Sequence, residues 1–174
     1  MKEHCMLDLE TLDTASTGII MSIGAVMFDE TGLGSTFYRT VDVQSSVDAG
    51  LTMSGSTLLW WMKQSKEARQ ALFTNTGPLM DVLESFTDWI CENSDPEKVK
   101  VWGNGADFDN AMLQHAYTKV GKPIPWKFWN NRCYRTVCAV LSAKQRRQEG
   151  VYHNALDDAM SQAKHLIETL YQKD

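Results

Sequence analysis

Two carboxylates near the start of the chain are the first residues whose spacing could support chemistry. Asp8 and Glu10 follow an apolar run in "HCMLDLETLD", a stretch that is typical of a buried β-strand. Because side chains alternate across a strand, both acids point to the same face. On a buried strand they would repel each other and lose hydration unless protons, cationic side chains or metal ions compensate. The alternative is that the strand ends near Leu7 and both acids are solvated.

A third acid, Asp109, lies in "WGNGADFDNAML" near the predicted start of a helix. Positions 109, 112, 113, 116 and 120 share one helical face, which is apolar apart from Asp109. We therefore expect this carboxylate at the top of a buried stripe, directed at the sheet. Asp107 lies off the stripe, where capping of the helix N-terminus is a sufficient explanation.

Two further acids, Asp157 and Asp158, open the last predicted helix in "VYHNALDDAMSQAKHLIETLY". They flank the apolar stripe on opposite sides, so helical periodicity does not distinguish between them. Favourable charge at a helix N-terminus would explain either one without a chemical role. His153, just upstream, is by the same standard an ordinary loop histidine.

The elements that position these residues are predicted from hydrophobic patterning. Three strands come first, and the turn residues "DETG" indicate an antiparallel hairpin between the second and third. Residues 123–136 are predicted to be irregular, with one short strand. The remaining predictions are strands at 5–10, 18–29, 35–43 and 98–104, and helices at 56–72, 77–94, 107–120, 134–147 and 154–172. This order predicts one α/β domain over residues 1–174, with a mixed central sheet flanked by helices.

Three short motifs in this order resemble those of a known family. They are "DLE" at 8–10, "FD" at 108–109 and "HNALDD" at 153–158, and together they resemble the DEDDh group of DnaQ-like 3′→5′ exonucleases. The resemblance covers almost the whole chain and implies a ribonuclease H-like fold. It implies that Asp158, rather than Asp157, binds metal and that His153 is the histidine of the group. "LLWWMKQS" at 58–65 is similar to a branch with mycobacterial 3′→5′ exoribonuclease-like and phage or prophage exonucleases.

The resemblance also implies a mechanism. Asp8, Glu10, Asp109 and Asp158 would hold two divalent metal ions, Mg²⁺ or Mn²⁺, and His153 would accept a proton from the attacking water. The products would be nucleoside 5′-monophosphates, released from the 3′ ends of single-stranded RNA or DNA. A non-catalytic nucleic-acid-binding or regulatory module is the alternative, but it predicts a broken set of residues and all five are intact. An internally cutting ribonuclease H-type nuclease is disfavoured by the His153 motif.

Contacts to the terminal nucleotide are less well defined by the sequence. By resemblance, Thr11 and Leu12 would meet the last ribose and base, with Leu12 as an apolar wedge. "TLD" at 11–13 departs from the Thr-Thr-Gly or Thr-Gly of many relatives. Trp60 and Trp61 are adjacent and cannot share a helix face, so we expect one in the core and the other partly exposed. Trp61 is a candidate stacking platform for a base, with core packing as the favoured alternative.

The charge distribution bears on possible partners. A net charge of −5 argues against non-specific coating of nucleic acid. No acidic residue occurs between Asp109 and Glu149, an interval that holds eight of the 17 Lys and Arg residues. The segment 119–147 is therefore a candidate phosphate track, with an ordinary solvated surface as its alternative. No signal peptide or membrane-spanning run is recognisable, so we expect a cytoplasmic protein without membrane partners. The resemblance implies a homodimer, which is usual for such a family.

Overall fold

The computed structural model describes residues 1–144 and 149–171. These residues form six strands, seven α-helices and a 3-10 helix at Phe128–Asn130. The strands are β1 (His4–Thr11), β2 (Ile20–Asp29), β3 (Gly32–Val41), β4 (Thr76–Gly77), β5 (Lys100–Gly103) and β6 (Asn131–Cys133). The α-helices are α1 (Val43–Asp48), α2 (Gly55–Met62), α3 (Lys66–Ala71), α4 (Leu79–Asn93), α5 (Asp109–Lys119), α6 (Tyr134–Val140) and α7 (Ala155–Tyr171).

All six strands join one mixed sheet in the order β4-β3-β2-β1-β5-β6. The first three strands form the predicted antiparallel meander, whereas β5 runs parallel to β1 and β6 runs parallel to β5. The predicted mixed sheet flanked by helices is confirmed. Because β1 and β5 are parallel neighbours, their carboxyl ends meet at one edge of the sheet. Asp8 and Glu10 lie at that end of β1, and Asp109 follows β5.

Helices cover β1 on both faces, and its side chains divide between two hydrophobic clusters. Leu7 and Leu9 belong to the larger cluster, which also contains the buried hydrophobic residues of α4 and α5. Met6 belongs to the smaller one, with Ala159 and Ala163 of α7. Asp8 and Glu10 therefore share the α7 face, as the alternation of the strand predicts. The small alanines let α7 pack closely on the sheet.

Two predicted helices are wrong in extent. The segment 56–72 forms two helices, because α2 ends at Met62 and the Ser65 side chain accepts a hydrogen bond from Ala68 N to begin α3. The helix predicted for 134–147 ends at Val140, and Ser142 adopts a left-handed φ of 51° that a continuing helix does not allow. Residues 145–148 lie outside the described residues.

Two short elements carry no clear pattern in the sequence. Helix α1 has six residues and is capped by the side chain of Asp42, and β4 adds two residues to the edge of the sheet beside β3. Within the described residues, every helix is too short or too polar to cross a bilayer. The single domain over 1–174, the cytoplasmic location and the homodimer stay predictions.

Candidate active site

The carboxylates of β1 lie opposite small residues of β2. Asp8 pairs with Gly24 and Glu10 with Ser22, and the register between the strands shifts directly after Glu10. Glu10 is buried, whereas Asp8 is partly buried and accepts a hydrogen bond of 3.1 Å from Gln162 Nε2 of α7. The prediction that both acids share a face under a covering element is confirmed, and the alternative of a strand that ends near Leu7 is wrong.

Asp109 is the first residue of α5 and is only 3% exposed. Its Oδ2 accepts a hydrogen bond of 3.2 Å from Gly105 N, which ties the carboxylate to the loop after β5. A Cβ at Gly103 would lie 2.8 Å from Asp109 Cβ, so glycine is needed where the helix start meets the strand. The capping role predicted for Asp107 is wrong, because Phe108 is the N-cap residue and Asp107 lies outside the helix.

The start of α7 separates the two adjacent aspartates. Asn154 Oδ1 accepts hydrogen bonds from Leu156 N and Asp157 N and thereby caps the helix. The Asp157 carboxylate accepts a 2.8 Å bond from Val151 N and so holds the preceding loop. Asp158 instead lies beside Glu10 and His153, with one ligand atom of each residue within 4.8 Å of the others. The structure thus distinguishes the two acids where periodicity does not.

Burial makes this group of carboxylates electrostatically unfavourable. Burial, together with the neighbouring charges of Asp109, Glu10 and Asp158, raises the pKa of Asp8 well above its usual range. Burial and the Asp158 and Asp109 charges raise the pKa of Glu10 to about 8. The pKa of Asp158 is raised to about 7 by burial and by Asp157. Near neutral pH the site therefore needs protons or cations to hold these groups together.

The chemistry of these donors suits a divalent cation. Carboxylate oxygens and a histidine nitrogen are available at Glu10, His153 and Asp158 within one ion's reach. Burial lowers the pKa of His153, so its imidazole is neutral near pH 7 and has a lone pair to offer. Asp8 and Asp109 lie beside this group, since the charges of Glu10 and Asp158 raise the pKa of Asp8 and the charge of Asp109 raises the pKa of Glu10. The site can therefore hold divalent metal.

Two neighbouring cavities are lined in part by the carboxylates. One, of about 450 Å³, is largely apolar and is lined by Leu9, Glu10, Thr11, Thr14, Ser56, Thr57, Trp60, Trp61 and Phe108. The other, of about 420 Å³, is polar and is lined by Asp8, Leu9, Thr14, Asn104, Gly105, Asp107, Phe108, Asp109 and Arg135. They share Leu9, Thr14 and Phe108. An apolar compartment at Glu10 and a polar one at Asp8 and Asp109 would suit a nucleoside and its phosphates.

Residues 3–170 match the family model described as the 3′-5′ exoribonuclease Rv2179c-like domain. The chain belongs to this family. It is therefore a 3′→5′ exonuclease, which confirms the predicted enzyme class. It is also 27% identical over 156 residues to an exodeoxyribonuclease of Enterobacteria phage T4, with 75% of this chain and 68% of the relative covered.

Solved structures show that the Rv2179c-like domain shares its fold with other nucleases. The nuclease domain of 3′hExo, described as a DEDDh family member bound to rAMP, matches with a TM-score of 0.65 at 14% identity, over 97% of this chain and 92% of that one. Exonuclease I from Methylocaldum szegediense matches with a TM-score of 0.64 at 11% identity, over 99% of this chain and 42% of that one. The ribonuclease H-like fold of the prediction is confirmed.

All three residues predicted to contact substrate are buried in this Rv2179c-like domain. Leu12 packs in the larger hydrophobic cluster and is 5% exposed, and its role as a wedge stays a prediction. Trp61 is 5% exposed and donates its Nε1 proton to Thr11 O at 2.9 Å, as the favoured alternative of core packing predicts, and what stays exposed lines the apolar cavity. Thr11 lines the apolar cavity, and its contact with substrate stays a prediction.

The exposed indole of the pair is Trp60, which the sequence did not single out. Trp60 is 43% exposed, and its ring centroid lies 4.8 Å from that of His153 in an edge-on contact. The expectation that one tryptophan of the pair is buried and the other exposed is confirmed. Which of the two is exposed depends on how α2 docks against the loop before α7, and no local pattern reports that.

The basic segment 119–147 does not form a continuous track among its described residues. Lys122 pairs with Glu84, and Lys127 pairs with Glu97. Arg132 donates to the backbone carbonyls of Trp129 and Asn131. Arg135 is different, because it lines the polar cavity. Arg146 and Arg147 lie outside the described residues.

Proposed function

We propose that this Rv2179c-like domain removes nucleotides from the 3′ ends of single-stranded RNA or DNA and releases nucleoside 5′-monophosphates. The observation that supports this most strongly is the convergence of Glu10, His153 and Asp158 within 4.8 Å, beside Asp8 and Asp109. The family model describes an exoribonuclease and the phage relative is an exodeoxyribonuclease, so both polymers are candidate substrates.

Asp8, Glu10, Asp109 and Asp158 would hold two divalent cations, and Mg²⁺ or Mn²⁺ suit the oxygen donors. When bound, such cations would offset the carboxylate charge and stabilise the charge that develops on the phosphate oxygens during hydrolysis. Burial raises the pKa values of these acids, and for Asp8 and Glu10 the neighbouring carboxylates raise them further; bound positive charge would offset both effects.

His153 would act as the general base. Its imidazole is partly buried, and the lowered pKa keeps it neutral and able to accept a proton from the attacking water. Its backbone has a left-handed φ of 62°. The loop before it is fixed at Val151, which donates to Asp157, and Asn154 after it caps α7. These contacts hold the histidine above Glu10 and Asp158.

The terminal nucleoside would occupy the apolar cavity. Trp60 offers the exposed aromatic surface there, and Thr11, Ser56 and Thr57 offer hydroxyl groups. Base stacking on an aromatic side chain tolerates any sequence, which suits an enzyme that removes successive nucleotides. The chain of the substrate would then pass over the carboxylates with its scissile phosphate beside Glu10.

Digestion of RNA and DNA oligomers, each labelled at the 3′ or the 5′ end, would test this function with Mg²⁺ and Mn²⁺ in parallel. We expect 3′ label to be released at once as mononucleotide and 5′-labelled chains to shorten stepwise. Asp8→Ala is expected to abolish release, and His153→Ala to slow it by about 10²–10⁴-fold. Full activity in Asp8→Ala would overturn the proposed site, and a non-catalytic module would bind these oligomers without shortening them.

A further inference from the structure

Arg135 is anchored beside the polar cavity. It lies in the first turn of α6, and both its backbone N and its side-chain Nε donate to the carbonyl oxygen of Asn104, each at 3.2 Å. Asn104 directly follows β5, so these bonds attach the arginine to the strand end that precedes Asp109. The side chain is exposed and lines the cavity together with Asp8.

A glycine allows the guanidinium to lie against the loop at this point. A Cβ on Gly105 would lie 2.1 Å from Arg135 Nη2, so any other residue would displace the arginine. Gly105 N also donates to Asp109 Oδ2, which places the guanidinium close to the catalytic acids. Burial raises the pKa of Asp109 to about 6, and the Arg135 charge acts in the opposite direction.

The guanidinium nevertheless keeps its terminal donors unused. Within residues 1–144 and 149–171, the Arg135 side chain makes a single hydrogen bond, from Nε to Asn104 O. No carboxylate of these residues lies within 4.0 Å of its nitrogens. An arginine presents its two Nη groups as a planar fork that matches two oxygens of a phosphate. Lys122 and Lys127, by contrast, are engaged by glutamates.

We propose that Arg135 binds the substrate phosphate one linkage to the 5′ side of the scissile phosphodiester. This assignment rests on the proposed function, in which the terminal nucleoside occupies the apolar cavity. Arg135 lines the other cavity, across Leu9 and Phe108, where the strand must continue after it has crossed the carboxylates. The next phosphate of the strand therefore meets the arginine, while the scissile one lies at the carboxylates.

A cycle of enzyme and substrate variants tests this contact. The substrates are two oligomers that differ at the linkage 5′ to the scissile bond, which is either a phosphodiester or a neutral methylphosphonate. With saturating Mn²⁺, we expect Arg135→Ala to raise KM for the phosphodiester about tenfold with little change in kcat. The methylphosphonate should raise the KM of the wild type to a similar extent. It should cause no further rise in the KM of Arg135→Ala. Arg135→Lys should recover part of the loss, because lysine supplies charge without the fork.

Lys127→Ala is the matched control, because it removes a basic residue of the same segment that pairs with Glu97 outside the cavity. Its KM should equal that of the wild type. If the rises in KM caused by Arg135→Ala and by the methylphosphonate simply add when the two are combined, the assignment is overturned. A fall in kcat with unchanged KM would also overturn it, because it would indicate that Arg135 only balances the charge of Asp109. If the wild type shortens no oligomer from its 3′ end, the proposed function fails first and the assignment fails with it.

Discussion

The imidazole of His153 lies edge-on against the indole of Trp60, with ring centroids 4.8 Å apart and ring planes at 80°. His153 has a left-handed backbone conformation and lies in the loop that precedes α7, so the contact braces a residue that no regular element holds. Trp60 itself is fixed on α2 beside the buried Trp61. The pair thus connects the helix that lines the apolar cavity to the proposed general base.

Truncation of Trp60 should impair catalysis through the position of His153. We expect Trp60→Ala to lower kcat by about tenfold, since small misplacement of a general base is costly, and Trp60→Phe to recover most of that loss. Steady-state kinetics on a 3′-labelled oligomer would measure both. Trp129→Ala removes another exposed indole, 61% exposed, and serves as the control. An unchanged kcat in Trp60→Ala would show that the contact has no catalytic role.

Gly24 is the point at which the start of α7 packs on the sheet. A Cβ at Gly24 would lie 2.2 Å from both Ala155 C and Leu156 N, which are backbone atoms that cannot rotate away. Gly24→Ala should therefore displace the first turn of α7, destabilise the fold by roughly 1–3 kcal/mol and reduce activity. Gly55→Ala is the control, because its added Cβ meets no described atom within 4 Å. Equal melting temperatures for the two variants would contradict this account.

The two adjacent aspartates should respond differently to the same isosteric change. Asp158→Asn should lower activity by at least about a hundredfold, because the residue belongs to the proposed cation site. Asp157→Asn should stay within about threefold, because an amide oxygen can still accept the hydrogen bond from Val151 N. Parallel assays of the purified variants would decide between them. Comparable losses in both variants would mean that the two aspartates have been given the wrong roles.

The buried acids predict an unusual dependence of stability on pH. A carboxyl with a raised folded-state pKa binds its proton more tightly when folded, so stability falls as pH rises towards that pKa. The values of about 6, about 7 and about 8 for Asp109, Asp158 and Glu10 place this loss between about pH 4 and pH 8, and above pH 6 it comes from Asp158 and Glu10. His4, with a pKa lowered to about 4, acts in the opposite sense only below about pH 6.5.

Thermal melts in EDTA between pH 6.5 and 8.5 would measure this loss. The melting temperature of the wild type should fall with pH, and Glu10→Gln should melt about 3 °C or more above it at pH 8. Mn²⁺ should stabilise the wild type more than it stabilises Glu10→Gln. Glu92→Gln, at an exposed position of α4, is the matched control and should follow the wild type. A metal-free wild type whose stability is constant or rises over this interval would contradict the electrostatic account.

Much of this site was predictable because it depends on periodicity. The period of two on β1 assigns Asp8 and Glu10 to one face, and the helical period places Asp109 at the top of a buried stripe, as the structure confirms. Periodicity leaves Asp157 and Asp158 equivalent, and the tertiary contacts separate them: Asp157 accepts from Val151 N, whereas Asp158 lies beside Glu10 and His153.

The features that the sequence does not report have a common physical cause. Leu12 and Trp61 are buried by contacts between segments distant in the chain, such as the bond from Trp61 Nε1 to Thr11 O, and no local pattern reports such contacts. The division of 56–72 into two helices follows from a serine cap in a stretch whose apolar pattern still suits a helix. Arg135 similarly differs from its basic neighbours only through the fold that brings α6 to the end of β5.

The most direct measurement of the central claim identifies the product of a digestion carried out in H₂¹⁸O. Mass spectrometry of the nucleotides released from a single-stranded oligomer with Mn²⁺ should show nucleoside 5′-monophosphates that carry one ¹⁸O atom on the phosphate. That result would show attack of water at phosphorus with departure of the 3′ oxygen of the shortened chain. Release of 3′-phosphorylated or cyclic products, or of internal fragments without mononucleotides, would contradict the account.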